Sequence, residues 1–127
     1  MTQEDRELLL HDLCARLPYG IMCNIGLNYP LPLQRIFVDR LDGILLDFYE
    51  DSKNYQVYLS EAKPYLRPML SMTEEEWKEY RDITCCLIEG CESWNEVDWL
   101  NAHHFDYRGL IEKSLAIEVT KENNPYV

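Results

Sequence analysis

The stretch from Lys63 to Glu76, KPYLRPMLSMTEEE, constrains this chain more than any other, because it forces a change of backbone state within a few residues. Pro64 and Pro68 each fix φ, remove a backbone donor and push the preceding residue toward extended geometry. Lys63 to Met69 is therefore expected to run extended, close to polyproline II, as a linker over 63–72. At Thr73 the state changes. The Thr73 hydroxyl can accept from an orphan helix N–H, and Glu76 can reach back to the Thr73 amide, which makes a capping box. Met72 and Trp77 occupy the positions of a hydrophobic staple, and Glu74, Glu75 and Glu76 set negative charge against the positive end of the helix dipole. These signals predict a helix that starts at Thr73.

Upstream of this hinge, Gln3 to Arg16 has apolar residues at helical spacing. Leu9, Leu10, Leu13 and Leu17 are expected to face the core, joined by Cys14, and Pro18 ends the helix. Four short β-type runs follow: Tyr19–Leu27, Arg35–Arg40, Ile44–Tyr49 and Tyr55–Leu59. The loop 28–32 and the turns at Asp42-Gly43 and 50–54 separate them. They imply an antiparallel meander that must bury one face. Downstream, Trp77, Tyr80, Thr84 and Leu87, widened by Ile83 and Ile88, outline a helix to about Glu89, with Gly90 as its stop. Ser93 with Glu96 is a second capping box and opens another helix to about His104. Leu115–Val119 could return as a strand.

The expected class is α+β in one domain: an N-terminal helix, a small, bent, barrel-like antiparallel sheet of about four to five strands, then two helices.

A chain of 127 residues can bury a real core, and 12% aromatic residues suit a compact fold. The net charge of −11 is spread over both halves. It argues against direct contact with nucleic acid, which needs clustered Lys and Arg, and against an anionic membrane surface. The charged N-terminal residues lack a signal-peptide layout, and no apolar run approaches membrane-spanning length. Five cysteines without a recognised spacing fit reduced thiols. A cytoplasmic location is the expectation.

Three stretches carry a resemblance: Leu13–Cys23, LCARLPYGIMC; Lys63–Glu76; and Asp98–Leu110, DWLNAHHFDYRGL. Together, and in this order, they resemble a group of small acidic proteins of unknown function from gut bacteria and their phages or mobile elements. The resemblance implies a helix-flanked small β domain, and it carries no activity, cofactor or site residue.

Functional side chains are densest at Trp94, Trp99, His103, His104, Phe105, Asp106, Tyr107 and Arg108. With Asp98, the pair His103 and His104 and Asp106 suggest a metal-dependent hydrolase, but adjacent helical histidines point in different directions. Helix termination, with histidine and Arg108 complementing the dipole and a tyrosine hydrogen-bond network, is the structural alternative. Cys85, Cys86 and Cys91 with a histidine invite a zinc reading, but their spacing is loose for a structural site and buried thiols suit it better. No phosphate loop, nucleophile elbow or kinase signature is present, and no cofactor is expected. The aromatic residues could form a core seam or a hot spot for a protein partner. The leading expectation is thus a non-enzymatic interaction protein with a protein partner, a basic one being compatible with the charge. An acidic mimic that occupies a basic nucleic-acid-binding groove is the alternative, and the hydrolase comes third.

Overall fold

The computed structural model of the protein describes residues 1–41, 43–84 and 94–126. Helix α1 (Gln3–Arg16) starts where the Thr2 side chain accepts from the Asp5 amide at 3.1 Å, with Glu4 and Asp5 in its first turn. A 3₁₀ turn (Leu17–Tyr19) and Gly20, at φ +73°, end it and turn the chain into β1 (Met22–Asn24). Strands β2 (Leu31–Asp39), β3 (Gly43–Glu50) and β4 (Lys53–Tyr58) form an antiparallel meander, with a register shift between Leu33 and Arg35. Strand β5 (Lys63–Leu66) pairs antiparallel with β1 and parallel with β6 (Ile117–Glu118).

The sheet order among the described residues is β4-β3-β2-β1-β5-β6. It is open and mixed and has six strands among these residues, where a barrel-like antiparallel sheet of about four to five was expected. The sheet is neither barrel-like nor purely antiparallel, and Lys63–Leu66 is a sheet strand rather than a linker. Proline is tolerated there because Pro64 faces Cys23 of β1 while β6 reaches only Tyr65 and Leu66, so at Pro64 the strand has one paired neighbour. A parallel pair needs a long crossover, and the segment between β5 and β6 supplies one. It contains a 3₁₀ turn (Met69–Ser71), α2 (Glu74–Thr84) and α3 (Trp94–Ala102). At the start of α2, the Thr73 amide donates to Glu76 Oε1 at 3.0 Å and the Glu76 amide donates to Thr73 Oγ1 at 3.2 Å.

One core lies between α1 and the sheet and includes Leu9, Leu13, Leu46, Phe48, Leu59 and Leu66. A smaller one, Met72, Leu100 and Phe105, joins the 3₁₀ turn after β5 to α3. Met72 is buried, whereas Trp77 is exposed and meets Tyr80 edge-on at 6.1 Å between ring centroids. Cys14 is exposed, which corrects the expectation that it joins the core face of α1, and Cys23 of β1 is buried. No helix among the described residues is long and apolar enough to cross a membrane. The predicted helix end near Glu89, Gly90, the Ser93 cap and Cys85, Cys86 and Cys91 lie outside the described residues, as does Asp42 of the β2–β3 turn.

Candidate functional site

Residues 99–108 leave α3 in a tight stop. The Phe105 amide donates to Leu100 O at 3.0 Å and the His104 amide to Asn101 O at 3.1 Å, while His104 adopts φ +64°. This is a Schellman ending in which histidine holds the left-handed position that glycine usually takes. Phe105 then packs back on Leu100 in the small core, the apolar contact that accompanies such endings. The His103 Nδ1 lies 2.9 Å from Trp99 O, and its ring stacks on Trp99 at 4.1 Å between centroids.

Phe105 is fully buried, and three parts of the chain meet on it. Arg16, also fully buried, donates through Nη2 to Phe105 O at 2.5 Å and pairs through Nε with Asp12 at 2.8 Å. The other Asp12 oxygen receives Arg108 Nη1 at 2.8 Å. Arg67 covers the Phe105 ring, 4.2 Å from its centroid, while its guanidinium grips both Glu76 oxygens at 2.7 and 2.6 Å. The Arg67 backbone binds both neighbours of Phe105, its amide donating to His104 O and its carbonyl accepting from Asp106 N, each at 2.8 Å. The Arg67 guanidinium holds the Glu76 carboxyl down at about 2, helped by the Thr73 amide against partial burial. The stretches 13–23, 63–76 and 98–110 therefore each contribute one side of a single polar knot.

His104 is half-buried and stacks on Tyr126 at 3.7 Å between centroids. The Tyr126 hydroxyl donates to Tyr65 O at 2.6 Å and accepts from Met22 N at 3.2 Å, which ties the chain end across β5 and β1. Burial, seconded by the positive charge of Arg16, His103 and Arg67, pushes the His104 imidazole down to about 4.

The remaining predicted residues are committed to local structure. Asp106 accepts from the Leu110 and Ile111 amides at 2.9 and 3.0 Å, and the Tyr107 hydroxyl donates to Asn101 Oδ1 at 2.8 Å. Trp99 Nε1 reaches Glu79 of α2 at 3.2 Å. Trp94 opens α3, and its side chain lies outside the described residues. His103, His104 and Asp106 thus serve different partners, and no group of three or more metal-ligating side chains among the described residues is placed to share an ion. Arg108 joins α1 rather than complementing the end of α3.

What opens to solvent is the surface beside this knot. One cleft of about 450 Å³ is lined by residues that include Met69, Leu70, Tyr107 and Ile111 with Asp106, Glu112 and Glu118. A second, of about 560 Å³, is lined by Met69, Tyr80, Val97, Leu100 and Tyr107 with Glu96 and Asp98. They adjoin, sharing Met69 and Tyr107, and every charged side chain among the described lining residues is a carboxylate. Leu70 is 91% exposed at the first cleft. In the second, the Tyr80 hydroxyl donates to Glu96, and partial burial with the nearby Glu96 carboxylate pushes the phenol up to about 12. No family model, curated protein or solved structure matches this chain. Of the cleft residues, Asp98, Asp106 and Tyr107 stood among the candidates drawn from the sequence. Met69 and Leu70 carry the one available signal, two bulky apolar residues placed directly after Pro68 in a stretch with little else to bury them.

Proposed function

We propose that the chain is a non-enzymatic protein-interaction module and that the paired clefts are its docking face. The cytoplasmic setting and the phage or mobile-element origin suggested by the resemblance belong to this reading. The exposure of Leu70 supports it best. A large aliphatic side chain that is almost wholly solvated, beside apolar clefts and on a backbone anchored by Pro68 and a 3₁₀ turn, is the composition and stiffness that partner surfaces use. The side chains of His103, Asp106, Tyr107 and Arg108 support it from the other side, because they hydrogen-bond within the fold beside that surface.

Photo-crosslinking from position 70 in native cytoplasm tests the reading, with the exposed Tyr58 on β4 as the control position. Crosslinks to one protein from position 70 and not from 58 are expected. Equal labelling from both positions, or none from either, would contradict it. An acidic mimic of nucleic acid would use the carboxylates without the leucine. Capture of a nucleic-acid-binding protein that is undiminished by Leu70→Ser would therefore favour mimicry.

A further inference from the structure

We infer that the occupant of the paired clefts is a cationic amphipathic segment of a partner protein, one that sets bulky apolar side chains between Lys or Arg residues. The inference rests on the docking face proposed above and adds the chemistry of its ligand. Three observations carry it. Both clefts have apolar floors, with Met69 common to the two, Ile111 in one, and Val97 and Leu100 in the other. Among the described lining residues the charge has a single sign: Glu112 and Glu118 are exposed beside the first, and Glu96 and Asp98 line the second. Finally, the arginines of the adjoining knot are tied to carboxylates of their own, Arg67 to Glu76 and both Arg16 and Arg108 to Asp12.

Apolar contact supplies the burial, and the carboxylates select the sign of the flanking charge. An anionic segment with the same apolar pattern meets repulsion from Glu96, Asp98, Glu112 and Glu118. A purely basic segment gains attraction but leaves the floors wet. Because Glu112 and Glu118 are exposed, their share of the affinity falls with ionic strength once separations exceed the Debye length, about 8 Å at 0.15 M salt.

The test is fluorescence anisotropy of the intact protein with three labelled peptides of one apolar pattern, Leu/Lys, Leu/Gln and Leu/Glu, and with oligolysine. The Leu/Lys peptide is expected to bind tightest, and to lose about tenfold or more in affinity at high salt. Leu70→Ser and Val97→Ser are expected to weaken it by about tenfold each, with the denaturation midpoint unchanged. Glu112→Gln with Glu118→Gln is expected to flatten its salt dependence. Oligolysine that binds as well as the Leu/Lys peptide, indifferent to Leu70→Ser, overturns the inference by reducing it to bulk charge. Equal binding of the Leu/Gln peptide overturns the charge selection and leaves the docking face intact. Failure of every peptide, while position 70 still crosslinks a cellular protein, likewise overturns the ligand class alone.

Discussion

Two regions at the helical end of the molecule lie within a few residues of each other and have opposite character. Around Phe105, charge is neutralised inside the fold: Asp12 and Arg16 are fully buried, and Arg67 and Glu76 grip each other through two hydrogen bonds. Around Met69 and Leu70, apolar surface and carboxylates face solvent together. Tyr107 borders both, with its hydroxyl on Asn101, its ring under the Arg16 and Arg108 guanidinium groups and its edge on the clefts. The difference teaches that dense polar chemistry in a sequence can be structural. On the proposed reading it forms the support, and the plainer residues beside it are presented.

That contrast can be broken most sharply at Arg16. Replacement by leucine leaves the buried Asp12 carboxylate to its pairing with Arg108 and takes the Arg16 donor from Phe105 O. A loss of about 3–5 kcal/mol in chemical denaturation is expected. A loss below about 1 kcal/mol would mean that the knot is not what holds α1 to the end of α3.

Arg67→Lys keeps the charge but gives up the two-pronged grip on Glu76 and the flat contact with Phe105. About 1–2 kcal/mol is expected in the same measurement. Thr73→Ala removes one capping bond and should cost about 1 kcal/mol, without change in peptide binding.

A smaller effect concerns pH. The imidazole of His104 is held below its ordinary value in the folded state, so between about 6.5 and about 4 the unfolded chain binds more protons. The associated stability is complete above pH 6.5 and is lost as pH falls through about 4. Partial solvent exposure trims its size. His104→Asn tolerates the left-handed backbone and removes the titrating ring, so its midpoint should fall less over this window than the parent's. Glu76 acts lower, its contribution disappearing as pH drops from about 4.5 toward about 2, and Glu76→Gln separates the two. Identical pH curves for the parent and His104→Asn would remove histidine from the account. The smallest effect belongs to the open region, where Leu70→Ser should change stability by no more than about 0.5 kcal/mol.

The start of α2 was legible because its signals are local: Thr73, Glu76 and the acidic turn satisfy one another within four residues. The α+β class and the meander were legible from alternation. The role of Lys63–Leu66 was not. Two prolines argue against a ladder, and only the one-sided pairing at Pro64 makes the strand possible. The buried pair was hidden for a different reason. Leu9, Asp12, Leu13 and Arg16 share the buried face of α1, but Arg16 in a last turn reads as a dipole complement. Its burial depends on Phe105, far along the chain. Helix termination at the histidines was legible, but that His104 itself takes the left-handed position of the stop was not, because glycine is the usual signal for it.

Amide hydrogen exchange with and without the Leu/Lys peptide tests the separation of support from docking face most directly. Slower exchange is predicted at Leu70, Ser71 and Val97, with the amides of Arg67, Phe105 and Asp106 unchanged because the knot is already closed. Protection that builds at Arg67, Phe105 and Asp106 while Leu70, Ser71 and Val97 stay as they were would contradict the account.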